Sequence, residues 1–228
     1  MRRLIFPILG LAIGLFVFSI PSFSQEVIYP KAEIFGGFSM SNVPGVVPTA
    51  FDPTTGLPTS YSRKSLMGWQ AAANYNLTHH LAIVGDFGGQ YGSIPGYTVL
   101  GAAVPGYSMH TYQFLFGPRL MFRGPRVTPF VDALFGASRL SSSSTASLLG
   151  GSTTVGVSST GFGMGLGGGL DINISDRLAL RVPQFDWTPR HFAGSTTTVL
   201  GTTVTVPGSW STGEIRFGIG LVVKAGQK

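Results

Sequence analysis

The 228-residue sequence predicts an all-β fold, an eight-stranded antiparallel up-and-down transmembrane β-barrel preceded by a cleavable signal peptide. Eight segments of about ten residues alternate apolar with small or polar positions, the period of a strand with one face in lipid. The connections between them are short and polar at one end, and long and rich in Ser, Thr, Gly and Pro at the other. Only 11% of residues are charged, against the roughly 25% of soluble domains, while 43% are hydrophobic and 17 are Phe. That apolar content also excludes a disordered chain.

The leader comes first. Met1-Arg2-Arg3 is a short positive start, Leu4 to Ile20 is nearly all apolar, and Ser22-Phe23-Ser24 places small residues before a cleavage point at Gln25. This is the layout of a secretory signal peptide over 1–24, leaving 25–228 as the barrel domain. No cysteine is present, which excludes a lipoprotein anchor, a disulfide framework and a thiolate nucleophile. After Gln25 no apolar run approaches the ~20 residues of a transmembrane helix, so membrane crossing falls to strands.

The strand segments are 31–41, 66–76, 81–92, 109–122, 128–139, 161–172, 178–188 and 212–223. The clearest is the sixth: Phe162, Met164, Leu166, Leu170 and Ile172 share one face, and five glycines with Asp171 occupy the other. One oily face and one nearly bare face suit lipid outside and a crowded lumen inside. In the eighth, Ile215, Phe217, Ile219 and Leu221 oppose Glu214, Arg216, Gly218 and Gly220. The third sets Leu81, Ile83, Phe87 and Tyr91 against Asp86 and Gln90; the fourth sets Tyr112, Phe114, Phe116 and Leu120 against Gln113 and Arg119.

Tight polar turns join alternate pairs: Leu77-Thr78-His79-His80, then 123–127, then 173–177. The other connections, 42–65, 93–108, 140–160 and 189–211, are long. Three of these carry Val99-Leu100-Gly101, Leu148-Leu149-Gly150 and Val199-Leu200-Gly201, expected to be hairpin extensions bending at the glycine. Pro183 interrupts the seventh segment. With Arg181 facing inward, strict alternation sends Gln184 and Asp186 to lipid, so a bulge near Pro183 is expected to return them to the lumen.

Taken in order, these segments resemble the porin-like family of small outer-membrane β-barrel domains of OmpA/OmpX-type architecture. The residues that carry the likeness are Ala32-Glu33-Ile34-Phe35-Gly36-Gly37-Phe38, Gly68-Trp69, Ile83-Val84-Gly85-Asp86-Phe87 and 111–119. Thr128-Pro129-Phe130, Ala133 to Ala137, and Gly167-Gly168-Gly169-Leu170-Asp171 with Leu180-Arg181 continue it. The resemblance implies the outer membrane of a diderm bacterium, contacts with its lipids and lipopolysaccharide, and delivery by the barrel assembly machinery. It implies a monomer with a structural, surface-interaction or narrow-pore role, in which four long extracellular loops take a surface ligand. The ending Val223-Lys224-Ala225-Gly226-Gln227-Lys228 departs from the aromatic close of such barrels and makes the insertion signal atypical.

The inward charged set on this register is Lys31, Glu33, Asp86, Arg119, Asp132, Asp171, Arg181, Asp186, Glu214 and Arg216. Opposite charges in so narrow a lumen must pair, and eight strands leave just enough interior for side chains to fill, so a structural plug is expected over an ion pathway. Trp69, Tyr91, Tyr112, Trp187 and Trp210 stand near segment ends and are expected to form interfacial girdles. No catalytic residue, cofactor or metal is expected. His110 and His191, toward the loop end with Asp186 and many serines, keep open a rival barrel enzyme acting on lipid A or protein; a secreted soluble β-protein is the second rival. The formal charge of +6 includes the leader's Arg2 and Arg3, and the remaining basic residues form no stripe, so nucleic acid is not an expected partner.

Overall fold

A computed structural model describes residues 29–52, 54–55, 58–99, 102–148, 151–199 and 202–227. The leader and the three Leu-Gly bends lie outside the described residues. Among the described residues ten strands follow one another: β1 (Pro30–Phe51), β2 (Pro58–Asn76), β3 (Leu81–Ile94), β4 (Tyr97–Val99), β5 (Ala102–Val104), β6 (Tyr107–Met121), β7 (Val127–Leu148), β8 (Gly151–Ser175), β9 (Leu178–Val199) and β10 (Thr202–Gln227). Eight close into an antiparallel meander, β1-β10-β9-β8-β7-β6-β3-β2, and β4-β5 is a small hairpin between β3 and β6. Closure pairs Pro30–Asn42 of β1 with β10 in unbroken antiparallel register.

Each strand segment read from the alternation lies within one barrel strand or runs one residue past its end. The difference is on the loop side, where the connections at 140–160 and 189–211 are themselves mostly strand. β7 and β8 pair out to Leu148↔Gly151, β9 and β10 out to Val199↔Thr202. A 25-residue strand such as β8 is about 80 Å long and, at a tilt near 40°, rises roughly 60 Å, against an apolar band about 25 Å tall. More than half of it therefore lies outside that apolar band. Above Asn42↔Ile215 and Met67↔Tyr91 the wall splits: β1–β2 continue as a lone hairpin, and β3-β6-β7-β8-β9-β10 as a curved sheet.

The bulge falls where the charge parity demands it. Arg181 and Gln184 of β9 face Asp171 and Gly169 of β8, and Gly220 and Gly218 of β10, so Val182-Pro183 together oppose one residue on each side. The extra residue shifts the parity, and Gln184 and Asp186 point inward, buried.

The two faces are inverted relative to a soluble protein. Ile34, Phe38, Phe114, Phe116, Val131, Phe135, Phe162, Phe185, Ile215 and Leu221 are exposed on the outside, while four arginines and six acids are buried within. An apolar belt running round a closed barrel, with no open sheet edge at its height, is a transmembrane β-barrel. The same belt removes the secreted soluble alternative, because water-facing monomers do not carry so large a contiguous apolar surface. Phe114→Arg, mid-height on the belt, is expected to destabilise the folded barrel by about 2–4 kcal/mol in a denaturant titration from lipid vesicles. Ser152→Arg, on the outer β7–β8 hairpin, is expected to leave the midpoint unchanged; equal effects would show that Phe114 does not face lipid.

Candidate functional site

The candidate site has two parts: the lumen, where the charges meet, and the outer surface that the long hairpins present. From the turn end upward, Glu33 accepts from Arg123 Nη1 (2.6 Å) and from the amides of Asn74 and Asn76. Lys31 shares the parity of Glu33 but is exposed and takes no part in the network. It lies two positions nearer the turn-end rim, where the lumen has already opened to water, so its expected inward burial is corrected here.

The next layer is built on Phe130. Arg119 donates to Asp132 through Nε (3.0 Å) and Nη2 (2.5 Å), and Arg181 grips Asp171 with both Nε (2.7 Å) and Nη2 (2.9 Å). The Phe130 ring lies between the two guanidiniums, 4.0 Å from Arg119 Cζ and 4.3 Å from Arg181 Cζ, and Phe35 covers the latter at 4.6 Å. The aromatic faces separate two like charges and attract each of them. The inward glycines of β8 make the room: a Cβ on Gly169 would meet Phe130 Cζ at 2.8 Å.

At mid-height Arg216 bridges two carboxylates from opposite walls. Nη1 donates to Asp86 Oδ1 (2.7 Å) on β3, and Nε to Asp186 Oδ2 (2.9 Å) on β9. Gln70 and Gln184 donate to the other oxygens of Asp86 and Asp186. Above this, Glu214 accepts from Arg190 and from Gln113 Nε2 (3.0 Å). Val43, Leu66, Ile94 and Met109 then close the interior with an apolar layer, packed by Tyr107 and Leu140. Arg190 and Arg123 were absent from the inward set read from the sequence. Arg190 falls in a stretch taken for a connection, although it lies two alternations beyond Asp186; Arg123 reaches in from a turn.

Trp69, Tyr91, Tyr112 and Trp187 lie on the outer face of β2, β3, β6 and β9. Trp69 Nε1 is 3.3 Å from Tyr91 Oη, and the Tyr91 ring meets Tyr112 and His110 edge-on at 5.9 and 5.4 Å. Trp210 does not join them. It pairs with Phe192 and shares the parity of Glu214, and its ring stacks 4.3 Å from buried Phe192, above the lumen. Proximity to a strand end marked it as a girdle residue, and its face overrules that. At the turn end, Tyr75 and Phe122 are exposed outward aromatics that the girdle set read from the sequence does not include.

His191 Nδ1 stands 2.9 Å from Ser211 Oγ on the outer face. Among the described residues no carboxylate orients this imidazole, and Asp186 is inside the lumen, held by Arg216 and Gln184. Among the described residues, then, this pair stands without the third group that orients the base of an activated serine. In the turn, burial, then His80 and Arg123, hold His79 below the ordinary imidazole range, and His80 Nδ1 is 2.9 Å from the Met121 carbonyl oxygen.

No protein-family model matches the sequence, and no curated protein matches it. In backbone shape the chain is similar to several solved structures. The attachment invasion locus protein Ail of Yersinia pestis is 14% identical, with a TM-score of 0.45 over 85% of this chain and 98% of that one. The outer membrane protease OmpT of Escherichia coli is 9% identical, with a TM-score of 0.49 over 88% and 99%. A major outer membrane protein from Thermus thermophilus is 13% identical, with a TM-score of 0.48 over 84% and 98%.

Proposed function

We propose that this chain is an outer-membrane barrel with a sealed lumen, acting as a rigid non-enzymatic mount for the surface formed by its four loop-end hairpins. The observation that carries this is the filled interior: Arg216 ties β10 to β3 across the lumen and to its neighbour β9, and the layer of Val43, Leu66, Ile94 and Met109 covers it. Eight strands leave no spare bore once such side chains are in place. In this reading residues 1–24 are removed on export from a diderm bacterium's cytoplasm, and the barrel assembly machinery inserts the protein as a monomer. Lipids and lipopolysaccharide contact the belt and aromatic row, and a surface ligand is taken by the outer sheet.

Two measurements test it. Folded protein in planar bilayers is expected to give no sustained conductance, because the ion-paired layers leave no continuous water path; steady unit conductance would overturn the sealed lumen. Replacing 144–155 by a two-residue turn is expected to abolish surface attachment of cells displaying the protein while leaving the barrel's heat-dependent shift in gel mobility intact. Attachment that survives this trimming and the same trimming of β9–β10 would overturn the surface role.

A further inference from the structure

On the outer face of β6, β7, β8 and β9, just above the aromatic row, two adjoining cavities of about 450 and about 240 Å³ share Ser158 and Thr196. Register creates them. β8 and β9 pair at Ser158↔Thr196 and again at Gly161↔Phe192, and the intervening Ser159–Thr160 and Ala193–Ser195 lie outside that ladder. The Ser159 hydroxyl donates to the Gly194 carbonyl across the seam. Ser159, Thr160 and Ala193–Thr196 on the two facing strands line the larger cavity.

Arg139 stands at the edge of this cavity, exposed, beside Tyr112 on β6 and Thr160 on β8. No carboxylate pairs with it among the described residues. The smaller cavity continues along hydroxyls, with Ser141, Ser143 and Thr198 on the same face and His110 at its rim. Gly156 lines it, and a Cβ there would meet nothing within 4 Å, so only a large side chain at this position would fill the space. A run of Ser and Thr hydroxyls suits a polyol, a lone guanidinium suits an oxyanion, and the lining contains no carboxylate to attract a cation. The neighbouring Tyr112 belongs to the row with Trp69 and Tyr91, so the cleft opens at the height of lipid headgroups.

We propose that this seam binds a phosphorylated sugar, with Arg139 on the phosphate and the Ser and Thr hydroxyls on the ring. The proposal rests on the reading of the loop end as the ligand-bearing surface and gives that surface a ligand chemistry. The sugar comes either from a lipid headgroup or from a free saccharide.

The test uses the mature chain in phosphatidylcholine nanodiscs. A de-acylated bisphosphorylated glucosamine disaccharide and its phosphate-free form are titrated by calorimetry, and retention of the acylated bisphosphorylated lipid is followed by native mass spectrometry. Removing the phosphate, or Arg139→Gln, is expected to weaken binding about tenfold or more, the effect of losing a charge-assisted bond, with Arg139→Lys between. Gly156→Leu is expected to abolish binding by filling the cleft. Retention of the acylated form alone identifies a lipid headgroup as the source; equal affinity for the de-acylated form identifies a free saccharide. Absence of binding to both forms, or binding that Arg139→Gln and Gly156→Leu leave unchanged, overturns the proposal. The boiled-against-unboiled gel shift separates the cases: an intact shift without binding sinks the cleft alone, whereas wild type without a shift sinks the barrel itself.

Discussion

Arg216→Leu is expected to lower the stability of the folded barrel by about 3–5 kcal/mol, the cost of stranding a buried charge whose partner has been removed. The loss would be measured by the tryptophan-fluorescence midpoint of a denaturant titration in vesicles. The substitution strands two carboxylates. Asp86 and Asp186 are 0% and 2% exposed, and both are ion-paired to this one side chain. Their remaining partners, Gln70 and Gln184, are neutral amides that solvate a carboxylate without balancing its charge. Adding Asp86→Asn and Asp186→Asn to Arg216→Leu is expected to restore most of the loss, because a buried ionic cluster replaced as a whole by neutral groups of similar shape is often no less stable. A single variant within about 1 kcal/mol of wild type would mean that water reaches these carboxylates, and the lumen would then not be sealed at mid-height.

The parts of this molecule that were legible in its sequence are those where lipid imposes a face. Within the belt, every second residue must be apolar, so the alternation from Phe162 to Ile172 or from Ile215 to Val223 marks a strand and fixes which charges turn inward. Beyond the belt both faces are wet and the constraint disappears. Ser141 to Thr145 and Thr196 to Thr198 form regular ladders, yet no period distinguishes them from loop. Arg190 was hidden by the same loss of signal. Parity also says nothing of height, so Lys31 was assigned to the lumen it only borders, and strand-end position says nothing of face, so Trp210 was placed in a girdle it does not join. Pro183 was legible because two signals coincided there, a missing ladder donor and the polar side chains of Gln184 and Asp186 on the wrong parity, and one bulge resolves both. The register break at Ser158–Gly161 left no comparable trace, since small residues on both faces do not reveal which way they point.

The glycine stripe of β8 gives the second large effect. Gly167 sits between Asp132 of β7 and Asp186 of β9, and an added Cβ would lie 2.2 Å from Asp186 Oδ1 and 2.4 Å from the Phe185 backbone oxygen. Neither atom has anywhere to go: Asp186 is held by Arg216 and Gln184, and the Phe185 oxygen belongs to the wall. Gly167→Ala is therefore expected to destabilise by about 1–3 kcal/mol, the usual cost of overpacking a filled interior, and to push Asp186 off Arg216. Gly163→Ala would meet the Ser138 hydroxyl at 2.4 Å, which can rotate away, and then Ser138 Cβ at 3.2 Å and Leu115 Cδ2 at 3.4 Å, which need give only slightly, so its cost should be smaller. Gly36→Ala, on the outer face with nothing within 4 Å, should fall within about 0.5 kcal/mol of wild type. The ordering of the three midpoints is the test. If Gly167→Ala unfolds no earlier than Gly36→Ala, the lumen has slack that a plug of ion pairs does not allow, and the bilayer conductance measurement becomes the decisive one.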